Sequence, residues 1–194
     1  DSTVPAPSSG GGGGKGPPVL AGDGPKCLAR LAKVKALSFE PVEAFSNAKG
    51  CGAHFPVMVK AVGDIDIQGR GLTLSCPAAE NLAKWLDKDV PKIIAKHDKA
   101  PLTQLNHLGS YNCRKIANSR TWSQHSFANA IDVAGLKFED GEMLSIEADW
   151  DDEPVLRDLA TAACDRFRVV LTPDYNASHY DHLHFDLGPY RSCR

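Results

Sequence analysis

Apolar residues recur along this chain at two periods, and each period marks a kind of element. In "PVMVKAV" (56–62) and "GRGLTLS" (69–75), Val and Leu come with partial alternation, as in half-buried strands. Ser75 then supplies a helix cap and Pro77 fits a first turn. Leu82, Trp85 and Leu86 follow at helical spacing, so the helix is expected to reach His97 with a break near Pro91. "LTQLNHLGSYNCR" (102–114) reads as a strand around a turn. "NAIDVAGLKF" (129–138) reads as a strand leading through the turn "EDGE" into a second strand, "MLSIEADW" (143–150). Residues 153–167 put Leu156, Leu159, Ala160, Ala163 and Phe167 on one side of a helix. "RVVL" and "HLHFDL" supply further strands. Strands come in groups with helices between the groups, which predicts an α+β fold with an antiparallel sheet flanked by helices.

No such period runs through residues 1–26. That stretch holds "SSGGGGGKGPP" and cannot bury enough surface to offset the cost of ordering it. It is read as a disordered Gly/Pro-rich linker, with the folded domain from Cys27 to Arg194. A chain of 194 residues suits one such domain plus a tail.

Composition narrows the function. A formal charge of -2, with no run of Lys or Arg, gives no footprint for nucleic acid. No apolar stretch approaches the length of a membrane span. The six cysteines form no CxxC pair, which argues against a structural zinc ribbon. An even number spread over the domain fits disulfides in an oxidising compartment, and hence a periplasmic or extracytoplasmic protein. Cys27–Cys51, Cys76–Cys113 and Cys164–Cys193 is the pairing expected among the many that six cysteines allow. The protein is expected to be a monomer.

The candidate chemistry lies in two short stretches, "SQHSFANAID" (123–132) and "HYDHLHFDLG" (179–188). In a strand, His182 and His184 project to one face while Leu183 and Phe185 face the core. Asp132 sits likewise between Ile131 and Val133, and His125 precedes its strand in a polar turn. Two imidazoles and a carboxylate are a ligand set for catalytic Zn²⁺, with the fourth position left to water.

These residues carry a resemblance. "SQHSFANAID" followed by "HYDHLH" resembles the SxHxxxxAxD and HxH signature of the lysostaphin, D-alanyl-D-alanine carboxypeptidase and sonic hedgehog metallopeptidase superfamily. More closely, "GCGAHFPV", "LSCPAAENLAKWL", "GSYNCR", "ACDRFRVVLTPDYNASHYDHLHFDL" and Cys193 resemble the bacterial extensin-like C-terminal domain family, across the whole folded region. The resemblance implies a small antiparallel sheet carrying a zinc site, with His125, Asp132 and His184 as ligands. It implies a catalytic role for His182. Asp181 fits the acidic base of one branch of the superfamily, and His179, His182 and His184 fit the His-x-x-His-x-His run of another, so the base stays open. Arg114, in "SYNCR", matches an arginine that holds substrate and oxyanion. The implied activity is a zinc peptidase acting on peptidoglycan peptides, an endopeptidase on a 4-3 (D,D) or 3-3 (L,D) crosslink. The rivals are a carboxypeptidase trimming stem peptides, a zinc-containing binding module without catalysis, and a disulfide-stabilised domain with no metal.

Overall fold

The computed structural model describes residues 24–194. Most of the expected linker, residues 1–23, lies outside the described residues. Residues 24–26 belong to the fold instead, because helix α1 (Gly24–Leu31) begins there and buries Gly24, Cys27 and Leu31. After α1 come β1 (Leu37–Pro41), β2 (Phe45–Ser46), β3 (Gly52–Ala53), β4 (Pro56–Val62), β5 (Ile65–Ile67) and β6 (Leu72–Ser75). Then follow α2 (Cys76–Lys84), a π-helical turn (Trp85–Asp89), α3 (Val90–Lys96), β7 (Leu102–Gly109) and a 3-10 helix (Gln124–Phe127). The chain closes with β8 (Ala130–Phe138), β9 (Met143–Ser145), α4 (Ile146–Asp149), α5 (Pro154–Ala163), β10 (Val169–Leu171), a 3-10 turn (Ala177–His179), β11 (Leu183–Asp186) and β12 (Ser192–Cys193).

The expected α+β architecture is present, but the sheet is larger than anticipated. Among the described residues, ten strands form one sheet in the order β1-β4-β5-β7-β8-β11-β10-β12, with β6 paired to β4 and β9 to β8. Most pairs are antiparallel; β5–β7 and β10–β12 are parallel. Strands as short as β5 and β12 show too few residues for a period of two to register.

One face of the sheet carries the core. Ile131, Val133, Leu183 and Phe185 point into it, and α2, α3 and α5 close over it. Phe185 meets Trp85 edge-on at 5.2 Å between centroids and stacks on Phe167 at 5.1 Å. The Trp85 indole N–H is satisfied by the Leu159 carbonyl at 3.2 Å. The break expected near Pro91 takes the form of the π-helical turn. Proline clashes with the carbonyl four residues back, so the ladder widens just before it and the Val90 N–H bonds to Trp85 O.

Three boundaries differ from the reading of the pattern. The second strand of the β8–β9 hairpin stops at Ser145 rather than running to Trp150. The Ser145 hydroxyl accepts from the Ala148 N–H at 3.0 Å, the Asp149 carboxylate accepts from the Ser145 N–H at 2.7 Å, and this mutual capping starts α4. Strand β6 starts at Leu72, because Gly71 has φ +97° and a Cβ there would lie 2.2 Å from Val59 O. Helix α5 ends at Ala163, although Phe167 still reaches the core.

The disulfides are Cys27–Cys76, Cys51–Cys113 and Cys164–Cys193. The third is as expected; the expected Cys27–Cys51 and Cys76–Cys113 are corrected. Helix α1 packs on α2, which puts Cys27 within 6.1 Å (Cα–Cα) of Cys76 at the start of α2. Strand β3 packs beside the 3-10 helix of residues 124–127, leaving Cys51 within 5.7 Å of Cys113. No helix of the described residues is long and apolar enough to cross a membrane.

Candidate metal centre

Strands β8 and β11 are antiparallel neighbours in a register that sets His184 opposite Asp132. The same register sets Leu183 opposite Val133 and Phe185 opposite Ile131. The apolar pairs hold the core, so Asp132, His184 and Asp186 share the other face. A slip of one residue would turn the polar set inward and the apolar set outward, which is why the core itself enforces this pairing.

His125 arrives from the 3-10 helix. Ser123 caps that helix by accepting from the His125 N–H at 3.3 Å, and Ala128 ends it in the left-handed region at φ 53°. The Ser126 hydroxyl accepts from the Arg114 N–H at 3.0 Å and donates to Arg114 O at 2.7 Å, stitching the helix to the loop before it. His125 is 2% exposed.

Three atoms converge. His125 Nε2 lies 3.2 Å from Asp132 Oδ1 and 3.2 Å from His184 Nδ1, and His184 Nδ1 lies 3.0 Å from Asp132 Oδ1. The outer ring nitrogens assign the protons. His125 Nδ1 is 2.9 Å from the Ser110 carbonyl, which only accepts, so that nitrogen carries the hydrogen. His184 Nε2 is 2.8 Å from Asp186 Oδ2, so it donates there, while Asp186 Oδ1 accepts from the Gly188 N–H at 2.7 Å. With both rings neutral, two imidazole lone pairs and one carboxylate oxygen face each other. Such a triad could hold a metal ion. Tetrahedral zinc, with ligands at about 2.0–2.1 Å, sets its ligand atoms about 3.3 Å apart, close to the triangle observed. Asp186 and the Ser110 carbonyl hold the outer ring nitrogens, as acceptors do for histidines in metal sites.

The charges agree. Burial disfavours the ionised Asp132, yet the adjoining His125 and His184 rings, when either is protonated, hold its pKa well below the usual carboxylate range. Burial likewise opposes charge on His184, but Asp132 and Asp186 together raise its pKa to about 9. Without a metal, a proton takes the cation's place.

The other expected site residues surround this triangle. His182 Nε2 is 3.6 Å from Asp132 Oδ1, and its Nδ1 is 2.8 Å from Asp181 Oδ1. His179 lies 5.1 Å from His182 and 6.0 Å from His184, ring to ring, with Nδ1 bonded to Asn176 Oδ1 at 2.8 Å. Burial, then the neighbouring His182 and His184, push the His179 pKa down to about 4, so this ring is neutral at pH 7. A cleft of about 910 Å³ opens here, lined by Arg114, Trp122, Tyr175, His179, His182 and His184 among others. Asp181 lines a separate cavity of about 580 Å³ with His107, Glu147 and Asp149. His97 pairs with Asp158 at 2.8 Å and His107 donates to Gln68 O at 3.1 Å, both away from the triangle.

The family model for the extensin-like protein C-terminus matches residues 25–194, nearly all of the described chain. The chain belongs to that family. No curated protein and no solved structure matches it. The three disulfides of this extensin-like domain suit an extracytoplasmic protein.

Sequence reasoning passed over Asp186, which orients His184. Its signal is simple: it stands two residues after His184, on the same face of the strand. The Ser123 hydroxyl caps the 3-10 helix, and the Ser110 carbonyl accepts the His125 ring hydrogen.

Proposed function

We propose that this domain is a zinc peptidase of the lysostaphin, D-alanyl-D-alanine carboxypeptidase and sonic hedgehog type, hydrolysing a peptide crosslink of peptidoglycan. The observation that carries the reading is the triangle of His125 Nε2, Asp132 Oδ1 and His184 Nδ1, its three lone pairs turned inward beside an open cleft. Held by these three residues, Zn²⁺ supplies Lewis-acid polarisation of a carbonyl and a bound water with its pKa lowered toward ~7.

The chain's own groups divide the remaining work. Asp181 accepts the His182 Nδ1 proton, which leaves the Nε2 lone pair turned toward the triangle. His182 is therefore the better placed base, and Asp181, facing the other cavity, positions it. His182 Nε2 takes a proton from the attacking water and returns it to the departing amine. Arg114, on the cleft wall, offers its guanidinium to the developing oxyanion. His179, neutral and bonded to Asn176, walls the cleft.

Mass spectrometry of crosslinked wall peptides incubated with zinc-loaded protein tests the proposal. A metal-dependent gain of one water at a single amide supports it and identifies the bond as 4-3 or 3-3. Intact peptides that nevertheless bind would mark the domain as a non-catalytic module.

A further inference from the structure

We infer that the substrate carries a free carboxylate close to the scissile bond, and that Arg120, beside Arg114, is the residue that reads it. The inference rests on the peptidase reading above and adds the substrate's charge to it.

Arg114 and Arg120 come from one loop and line the same cleft. Three other arginines pair with carboxylates, Arg30 with Glu80, Arg157 with Asp151 and Asp174, and Arg166 with Asp89, while Arg70, Arg168, Arg191 and Arg194 line no part of this cleft. Among the described residues no side chain forms an ion pair with Arg114 or Arg120. Asp186 is the one carboxylate among the residues lining the cleft, and both its oxygens are already used by His184 and the Gly188 N–H. Two exposed arginines thus line one concave surface, and neither has an ion-pair partner among the described residues. A guanidinium fork matches a carboxylate by two parallel hydrogen bonds, which gives direction as well as attraction.

The loop is built to hold that fork. Cys113 ties it to Cys51, and Ser126 bonds both backbone groups of Arg114. Lys115 bridges to Trp122 across a tight turn, closed by Ile116 N–H to Thr121 O at 3.0 Å and Ser119 N–H to Ile116 O at 3.0 Å. Arg120 stands in that turn. Beyond His182 the charge reverses, since Glu147, Asp149 and Asp181 line the smaller cavity. An anionic group is repelled there and attracted on the arginine side, so the polarity across the centre sets which way a peptide lies.

Two crosslink-type peptides, identical but for a free carboxylate in one and a carboxamide in the other, test this with zinc-loaded wild type and Arg120→Gln. Charge-assisted hydrogen bonds of this kind are worth about 10- to 100-fold. The expected result is a KM raised about 10-fold by amidation in wild type, with kcat within about twofold, and no difference between the peptides for Arg120→Gln. Arg120→Lys should restore part of the discrimination. Equal KM values in wild type, or full discrimination retained by Arg120→Gln, would overturn the inference while leaving the peptidase intact. If neither peptide is cut, the peptidase reading falls, and their affinities for the chelator-treated protein decide the inference alone. Tighter binding of the carboxylate form that disappears in Arg120→Gln supports it; equal binding, or none, overturns it.

Discussion

Asp186 shows how much a candidate metal site can owe to one side chain. It does not touch the triangle, yet it fixes which nitrogen of His184 is free. Changing it to Asn keeps the size but weakens the acceptor. Zinc affinity of Asp186→Asn should fall about 10- to 100-fold with the fold retained, as titration against a chelating dye would read. The protons make a second prediction. His184, with its pKa raised to about 9, holds a proton in metal-free protein at pH 7, and binding must expel it. Calorimetry in two buffers of different ionisation enthalpy should report about one proton released per zinc at pH 7, with apparent affinity falling as pH falls. At this scale the sequence was eloquent. Asp132 and His184 stand out because they alternate with apolar residues, whereas His125, in a polar turn, stands out through the resemblance. The division between Asp181 and His182 was not legible, since spacing allows both and only the 2.8 Å contact between them separates their tasks.

Elements place those residues, and two of them do most of it. Strand β11 is pinned on its core side by Phe185, between Trp85 and Phe167, so its other side presents His184 and Asp186 to β8. Phe185→Ala should cost about 3–5 kcal/mol in denaturant unfolding, with weakened zinc binding as the register loosens. The loop of residues 110–123 is the other. Removing its tie with Cys51→Ala/Cys113→Ala should cost about 2–4 kcal/mol of stability. Zinc content should stay at the wild-type level while KM rises, because the loop carries Arg114 and Arg120 but no triangle residue. The apolar periods revealed β4, α2, β8 and α5 because each is long enough to show a period. Helix α1 escaped notice since it follows directly on a Gly/Pro-rich stretch, and α4 because its signal is capping by Ser145 and Asp149 rather than periodicity.

At the scale of the whole molecule, the sheet brings together segments that are far apart in sequence. Its main path runs nearly in chain order, with β11 ahead of β10, and the two corrected cysteine pairs lie outside its strands. Cys27 finds Cys76 and Cys51 finds Cys113 through helix and loop packing, which linear spacing does not encode. The α+β class and the convergence of residues 123–132 with 179–188 were legible; the ten-strand extent of the sheet was not. The account comes down to whether His125, Asp132 and His184 share one divalent ion. Elemental analysis of the purified, zinc-equilibrated protein measures this directly. We predict one zinc per chain, lost in each of His125→Ala, Asp132→Asn and His184→Ala while circular dichroism shows an intact fold. A folded wild-type protein that retains no zinc, or variants that keep it in full, would contradict the account.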